Sequence, residues 1–182
     1  MPHGDPAEVI LVDEVDRQVG LCDKLAAHQR ALLHRAVSVF AFDPNGRLLI
    51  QRRALGKYHS GGLWSNSACT HPRPGESNEA AAQRSLTEEL GLDAKDWCYA
   101  FPMLYRAQVG AGLVEHEYDH VFVCCVRRAP APNTHEASAT AFTTLASVQA
   151  EMARSPDSYT PWFRLLIDPV SQWRAAHRSH QA

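Results

Sequence analysis

The chain has 182 residues, 45% of them hydrophobic, and a formal net charge of −2. That length suits a single domain, residues 1–182, able to bury a core of its own. Acids and bases are interspersed, which excludes a basic nucleic-acid groove or a charged membrane-binding patch as the main business, and neither nucleic acid nor membrane is expected as a partner. No apolar run reaches the roughly 20 residues of a membrane span, and the opening M-P-H-G-D-P-A-E has neither the basic nor the apolar stretch of a secretory signal. The cysteines are Cys22, Cys69, Cys98, Cys124 and Cys125. Their odd number and their spacing fit no disulfide framework, so free thiols in a reducing, cytoplasmic setting are expected.

In chain order, residues 8–14 read as a first strand. Residues 35–43 alternate, P-N-G turns the chain, and residues 47–53 return, so Asn45-Gly46 predicts a hairpin. Residues 56–70, rich in Gly and Ser, read as a loop. The best helix candidate covers 77–90, with Ser77 or Asn78 as its cap, Glu79 at the positive end of the dipole and Gly91 as the left-handed stop. Leu86 and Leu90 fall on its inner face. Two more strands follow at 98–108 and 113–127, with G-A-G between them. A-P-A-P-N-T at 129–134 reads as a surface loop, a short strand is expected at 140–145, and helical patterns run over 146–154 and 161–178. The tail after about Pro169 carries no readable motif. Together these elements make an α+β chain with a mixed sheet and late helices.

Three groups of residues carry candidate chemistry. In L-V-E-H-E-Y-D-H, the two-residue strand period puts Glu115 and Glu117 on one face and His116 on the other. They are either a solvated sheet edge or, because the following V-F-V-C-C-V is apolar, buried oxygens that need a cation. His28, His34 and His71 supply imidazole, which with carboxylates suits Mn²⁺ or Mg²⁺ in a six-coordinate site or Zn²⁺ in a smaller one. Cys69 lies two residues before His71, and that pairing fits a metal ligand, a reactive thiol or a plain loop cysteine. No second Cys pair stands at zinc-finger spacing.

Residues 70–92 fit the Nudix pattern G-x5-E-x7-R-E-U-x-E-E-x-G-U at Glu76, Arg84, Leu86, Glu88, Glu89, Gly91 and Leu92. Thr70 replaces the first Gly, and Ser85 replaces the Glu after the Arg. That second change removes a carboxylate expected in Nudix hydrolysis. Taken with N-S-A-C-T-H-P, P-G-E-S-N-E-A-A, E-E-L-G-L and V-E-H-E, the chain resembles the type 1 isopentenyl-diphosphate Δ-isomerases from about residue 8 to about residue 170. The resemblance implies a Nudix-like α-β-α sandwich with a mixed β-sheet and an N-terminal extension. It implies interconversion of isopentenyl and dimethylallyl diphosphate by an isomerase that is a monomer or weak dimer.

The same resemblance assigns residues. Cys69 and Glu117 match the catalytic pair, with Tyr105 beside the glutamate. His28, His34, His71, Glu115 and Glu117 match ligands of a Mn²⁺ or Zn²⁺ site, and Glu89 matches a carboxylate near a Mg²⁺ carried by the diphosphate. Lys24, Arg53 and Lys57 match diphosphate-holding residues, and Trp162 matches a pocket tryptophan. Alkenes are poor bases, so this chemistry needs a positioned acid in a dry pocket and a second group to remove a proton two carbons away. The alternatives are a Nudix pyrophosphohydrolase, against which Ser85 counts, and a non-catalytic Nudix-fold binding module.

Overall fold

Strand pairing brings distant parts of the chain together in one nine-stranded sheet. The computed structural model describes residues 7–177. The opening residues 1–6, read for a secretory signal, and residue 178 of the last predicted helix lie outside that range. The strands are β1 (Glu8–Val12), β2 (Gln18–Asp23), β3 (His34–Phe42), β4 (Leu48–Arg53), β5 (Trp64–Ser65), β6 (Ala68–Thr70), β7 (Lys95–Gly110), β8 (Leu113–Cys125) and β9 (Ala137–Thr143). The helices are α1 (Lys24–Gln29), α2 (Asn78–Leu90), α3 (Leu145–Arg154) and α4 (Pro161–His177), with one 3₁₀ turn at Pro156–Ser158.

The sheet is mixed. β3 runs parallel to β8 over nine paired positions, from His34 opposite Glu117 to Phe42 opposite Cys125. On its other edges β3 pairs antiparallel with β1 and β6, and β8 pairs antiparallel with β7. Side-chain alternation then builds two cores. Val37, Val39, Ala41 and Phe122 pack with Ala81, Ala82, Leu86 and Leu90 of α2. Phe40, Phe42, Val121 and Val123 pack with Phe163, Leu166, Ile167 and Val170 of α4 on the other side. Helices therefore cover both faces, the sandwich expected. Leu86 and Leu90 are fully buried, each burial stabilising by about 1.5–3 kcal/mol.

Local chemistry accounts for the joints. Ser77 caps α2 by accepting the Ala80 N–H at 3.2 Å, and Gly91 ends it in the left-handed region at φ 63°. The hairpin at Asn45-Gly46 forms with Gly46 at φ 78°, and the Asp43 carboxylate accepts the Arg47 N–H across it at 2.8 Å.

The structure corrects three readings. Residues 56–70 are not all loop: β5 and β6 lie within them, and Cys69 sits on β6 opposite Ser38. These strands are only two and three residues long, too short for periodicity to reveal. Strand β2 and helix α1 went unread because residues 18–29 mix polar and apolar side chains without a clear period. The helix expected at 161–178 forms as α4, which runs on through Pro169 with Val170 fully buried. In the strand pair expected at 98–108 and 113–127, β7 is longer, running from Lys95 to Gly110, while β8 stops at Cys125. No helix among the described residues is long and apolar enough to cross a membrane.

Candidate active site

Strand register assembles the site. His34 of β3, Glu117 of β8 and Tyr105 of β7 lie opposite one another in three adjacent strands. Glu115 and Glu117 do share a face and are buried, while His116 between them is half-buried on the other. The buried reading of the pair therefore holds over the solvated edge. His28 comes from α1, whose start is capped by the Asp23 carboxylate. Cys69 lies on β6, and His71 follows just after it.

One ligand atom each from His28, His34, His71 and Glu117 lies within 4.8 Å of the others. The imidazoles are set in the ligating tautomer. His28 Nδ1 lies 2.7 Å from the Lys24 carbonyl and His34 Nδ1 lies 2.8 Å from the Leu32 carbonyl. A carbonyl only accepts, so both Nδ1 atoms carry the proton and both Nε2 lone pairs point inward. The buried His34 Nε2 has no hydrogen-bond partner. Burial, then the neighbouring His71, holds His28 neutral with its pKa pulled down to about 4. Burial also lowers His71. An orphaned inward lone pair beside neutral imidazoles and an ionised carboxylate fits a divalent cation. The group is able to hold a metal ion.

Glu117 has two differently used oxygens. Oε1 faces His71 Nε2 at 3.2 Å and His34 Nε2 at 3.5 Å. Oε2 accepts the Tyr105 hydroxyl at 2.5 Å. Burial alone would raise Glu117, but the His34 and His71 rings set against its Oε1 pull it well below the usual carboxylate range. Glu115, which accepts a weaker 3.1 Å bond from Tyr105, is pushed well up by burial and by the charge of Glu117. Burial next to both glutamates raises Tyr105 well above its ordinary value, so its proton stays on.

The predicted site residues fall into two sets. Lys24, Arg53, Cys69, His71, Tyr105, Glu115, Glu117 and Trp162 line one cavity of about 30 Å³. His28 and His34 join through the metal-competent group. Arg53 lies with its guanidinium 5.2 Å from the Trp162 ring centre, and its buried Nε has no hydrogen-bond partner. Arg52, by contrast, points its Nε at the Gly62 carbonyl on the exposed side. Burial, then Asp119 and Glu89, pushes the Cys69 thiol well up, so it rests protonated. Two predicted residues stand apart. Lys57 is ion-paired with Glu136, and the Glu89 carboxylate accepts from Gln51 at 2.6 Å and is outside the converging donors.

The sequence reading missed three residues. His59 lies 3.6 Å from Glu115 Oε1 and forms, with His28 and Glu115, a second convergent donor set. Burial, then Arg53, His28 and Lys24, lowers it to about 3. Asp119 extends the carboxylate row of Glu115 and Glu117 by one strand period, and both its buried oxygens lack hydrogen bonds. That periodic extension was visible in E-H-E-Y-D. Asn66, in the N-S-A-C stretch, is fully buried beside Cys69.

Comparison with known proteins identifies the family. Residues 32–163 match the NUDIX domain family. The chain is 47% identical to "Isopentenyl-diphosphate Delta-isomerase 2" of Aromatoleum aromaticum, over 92% of this chain and 88% of the relative. It is 48% identical to "Isopentenyl-diphosphate Delta-isomerase" of Streptomyces griseus, over 87% of this chain and 80% of the relative. Among solved structures, DR0079 from Deinococcus radiodurans superimposes with a TM-score of 0.73 at 20% identity, covering 88% of this chain and 97% of that one. That likeness concerns the fold alone. A buried His–Glu group in a Nudix sandwich, with relatives this similar over nearly the whole chain, places the protein: it is an isomerase that belongs to the isopentenyl-diphosphate Δ-isomerase family.

Proposed function

We propose that the chain interconverts isopentenyl diphosphate and dimethylallyl diphosphate by adding a proton to one carbon of the alkene and removing another two carbons away, through a tertiary carbocation. The observation that carries this reading is that Cys69 and the Tyr105–Glu117 pair line the same cavity. A thiol and a carboxyl lining one pocket can serve as donor and acceptor at opposite faces of one alkene, each taking the other's role when the reaction reverses.

A divalent ion bound by His28, His34, His71 and Glu117, with Glu115 alongside, would fix the carboxylate and hold it ionised at Oε1. Mn²⁺ or Zn²⁺ suits three imidazoles better than Mg²⁺, which prefers oxygen and arrives more naturally with the diphosphate. The chain's own groups do the rest. Glu117 Oε2 exchanges a proton with substrate, and Tyr105, which donates to that oxygen, steadies its charge. Cys69 exchanges the second proton. Trp162, almost fully buried, offers its ring to the cation, a contact worth on the order of 0.5–2 kcal/mol, and keeps water out. Arg53 and Lys24 line the cavity and offer positive charge to the diphosphate, Arg53 with a buried N–H still unpaired. The cavity has room for only a water molecule or two. Substrate must therefore widen it.

The test is to incubate the protein with isopentenyl diphosphate and Mg²⁺ and follow the products by NMR. Dimethylallyl diphosphate without free phosphate is expected. Phosphate release with no new alkene isomer would replace this reading with a Nudix hydrolase.

A further inference from the structure

Asn66 joins Cys69 and Trp162, two of the residues that the isomerase reading sets against the alkene. Its Oδ1 accepts from Cys69 Sγ at 3.1 Å and from Trp162 Nε1 at 3.2 Å. The Ser65 hydroxyl also reaches it at 3.0 Å, although that hydroxyl has the Thr160 oxygen as another partner at 3.1 Å. The other end of the amide is equally committed. Its Nδ2 donates to the Val39 carbonyl at 3.2 Å and the Ala68 carbonyl at 2.9 Å.

These contacts settle which way the amide faces. The indole N–H only donates and the two carbonyls only accept. A flipped amide would set donor against donor at Trp162 and oxygen against oxygen at Val39 and Ala68. With Oδ1 fixed as an acceptor, the thiol must be the donor in its contact. Ser38 Oγ lies 3.6 Å from the sulfur. The S–H is held in one direction, and the same oxygen sets the tilt of the indole. The anchor is rigid because its two backbone partners belong to β3 and β6, strands paired with each other at Val39 and Ala68 themselves.

We propose that Asn66 is a positioning residue which, through a single amide oxygen, locks the Cys69 S–H and the Trp162 ring in register with each other. The inference rests on the isomerase reading for its kinetic consequence, but the lock itself is a property of the resting protein. Its function is geometric. A proton delivered from sulfur reaches carbon only along a narrow line, and the cation that results must form beneath the ring. A displacement of about 1 Å costs on the order of a hundredfold in rate.

The experiment has two arms. Infrared difference spectra of the wild type against Cys69→Ala isolate the S–H stretch of this one thiol. It should lie at the lowered frequency of a hydrogen-bonded donor, and in Asn66→Ala, read against the Asn66→Ala/Cys69→Ala pair, it should move to the free-thiol position. In the second arm, Asn66→Ala should lose about a hundredfold in kcat, with the KM for isopentenyl diphosphate and the metal content unchanged. A wild-type band already at the free-thiol frequency overturns the proposal, and that measurement does not depend on any variant at position 66 folding. A raised KM with kcat intact overturns it too. Failure of the isomerase reading looks different: wild-type protein makes no dimethylallyl diphosphate, while the spectrum still reports whether the lock exists.

Discussion

Removing the ring of His28 should flatten part of the protein's acid sensitivity, by an amount the structure sets. His28 is fully buried, and burial pulls its pKa down from 6.5 to about 4. In the unfolded chain the imidazole recovers its ordinary value. Between the two values the unfolded state holds a proton that the native state refuses. Stability from this group is therefore complete above about pH 6.5 and is lost as pH falls towards 4. The whole shift corresponds to roughly 3 kcal/mol, of which about 2 kcal/mol is gone by about pH 5. Asp119 and Glu115, raised by burial and by Glu117, act in the opposite sense, so the informative quantity is a difference between proteins. Urea unfolding of chelator-stripped wild type and His28→Gln should be followed at about pH 7.5, 6 and 5. The wild type should lose about 2 kcal/mol more than the variant across that range. Equal losses in the two proteins would refute a buried, neutral His28, and with it the inward lone pair offered to a metal.

Three other outcomes are expected. Cys69→Ser should unfold like the wild type yet turn over isopentenyl diphosphate about 10²- to 10⁴-fold more slowly, the usual loss for a missing proton-transfer group; unchanged turnover in an NMR assay would point to the binding-module alternative. His71→Ala and Glu115→Gln should each lower metal content and activity together, and elemental analysis showing full occupancy in both would remove these residues from the ligand set. Replacing His59, 3.6 Å from the Glu115 carboxylate, with Ala should weaken Co²⁺ affinity by about 10- to 100-fold, as loss of a partner behind a ligand does, and a titration indistinguishable from wild type would leave His59 as packing only.

Much of this architecture could be read from side-chain order, and the gaps have identifiable causes. Helix α2 and the long hairpin of β7 and β8 declared themselves because their periods run for several turns or strand repeats. Strands β5 and β6 did not, because they exist only through pairing with β4 and β3. Cys69 was therefore found but misplaced in a loop. The carboxylate pair was legible from the two-residue period, whereas its third member, Asp119, was passed over although the same period reaches it. His59 has no local pattern; its significance comes from tertiary contact with His28 and Glu115. Lys57 shows the converse, a residue matched by sequence whose charge the fold commits to Glu136.

The parallel seam between β3 and β8 has a consequence for how the protein is made. The imidazoles of the donor group all come from the first half of the chain, and Glu117 reaches them only when β8 docks beside His34. Bringing these segments together is a long-range closure, slow compared with forming a hairpin. A nascent chain emerging from the ribosome thus carries three histidines but no carboxylate to complete their cage. Any ion held by this group would therefore be captured late, only after β8 has docked beside β3.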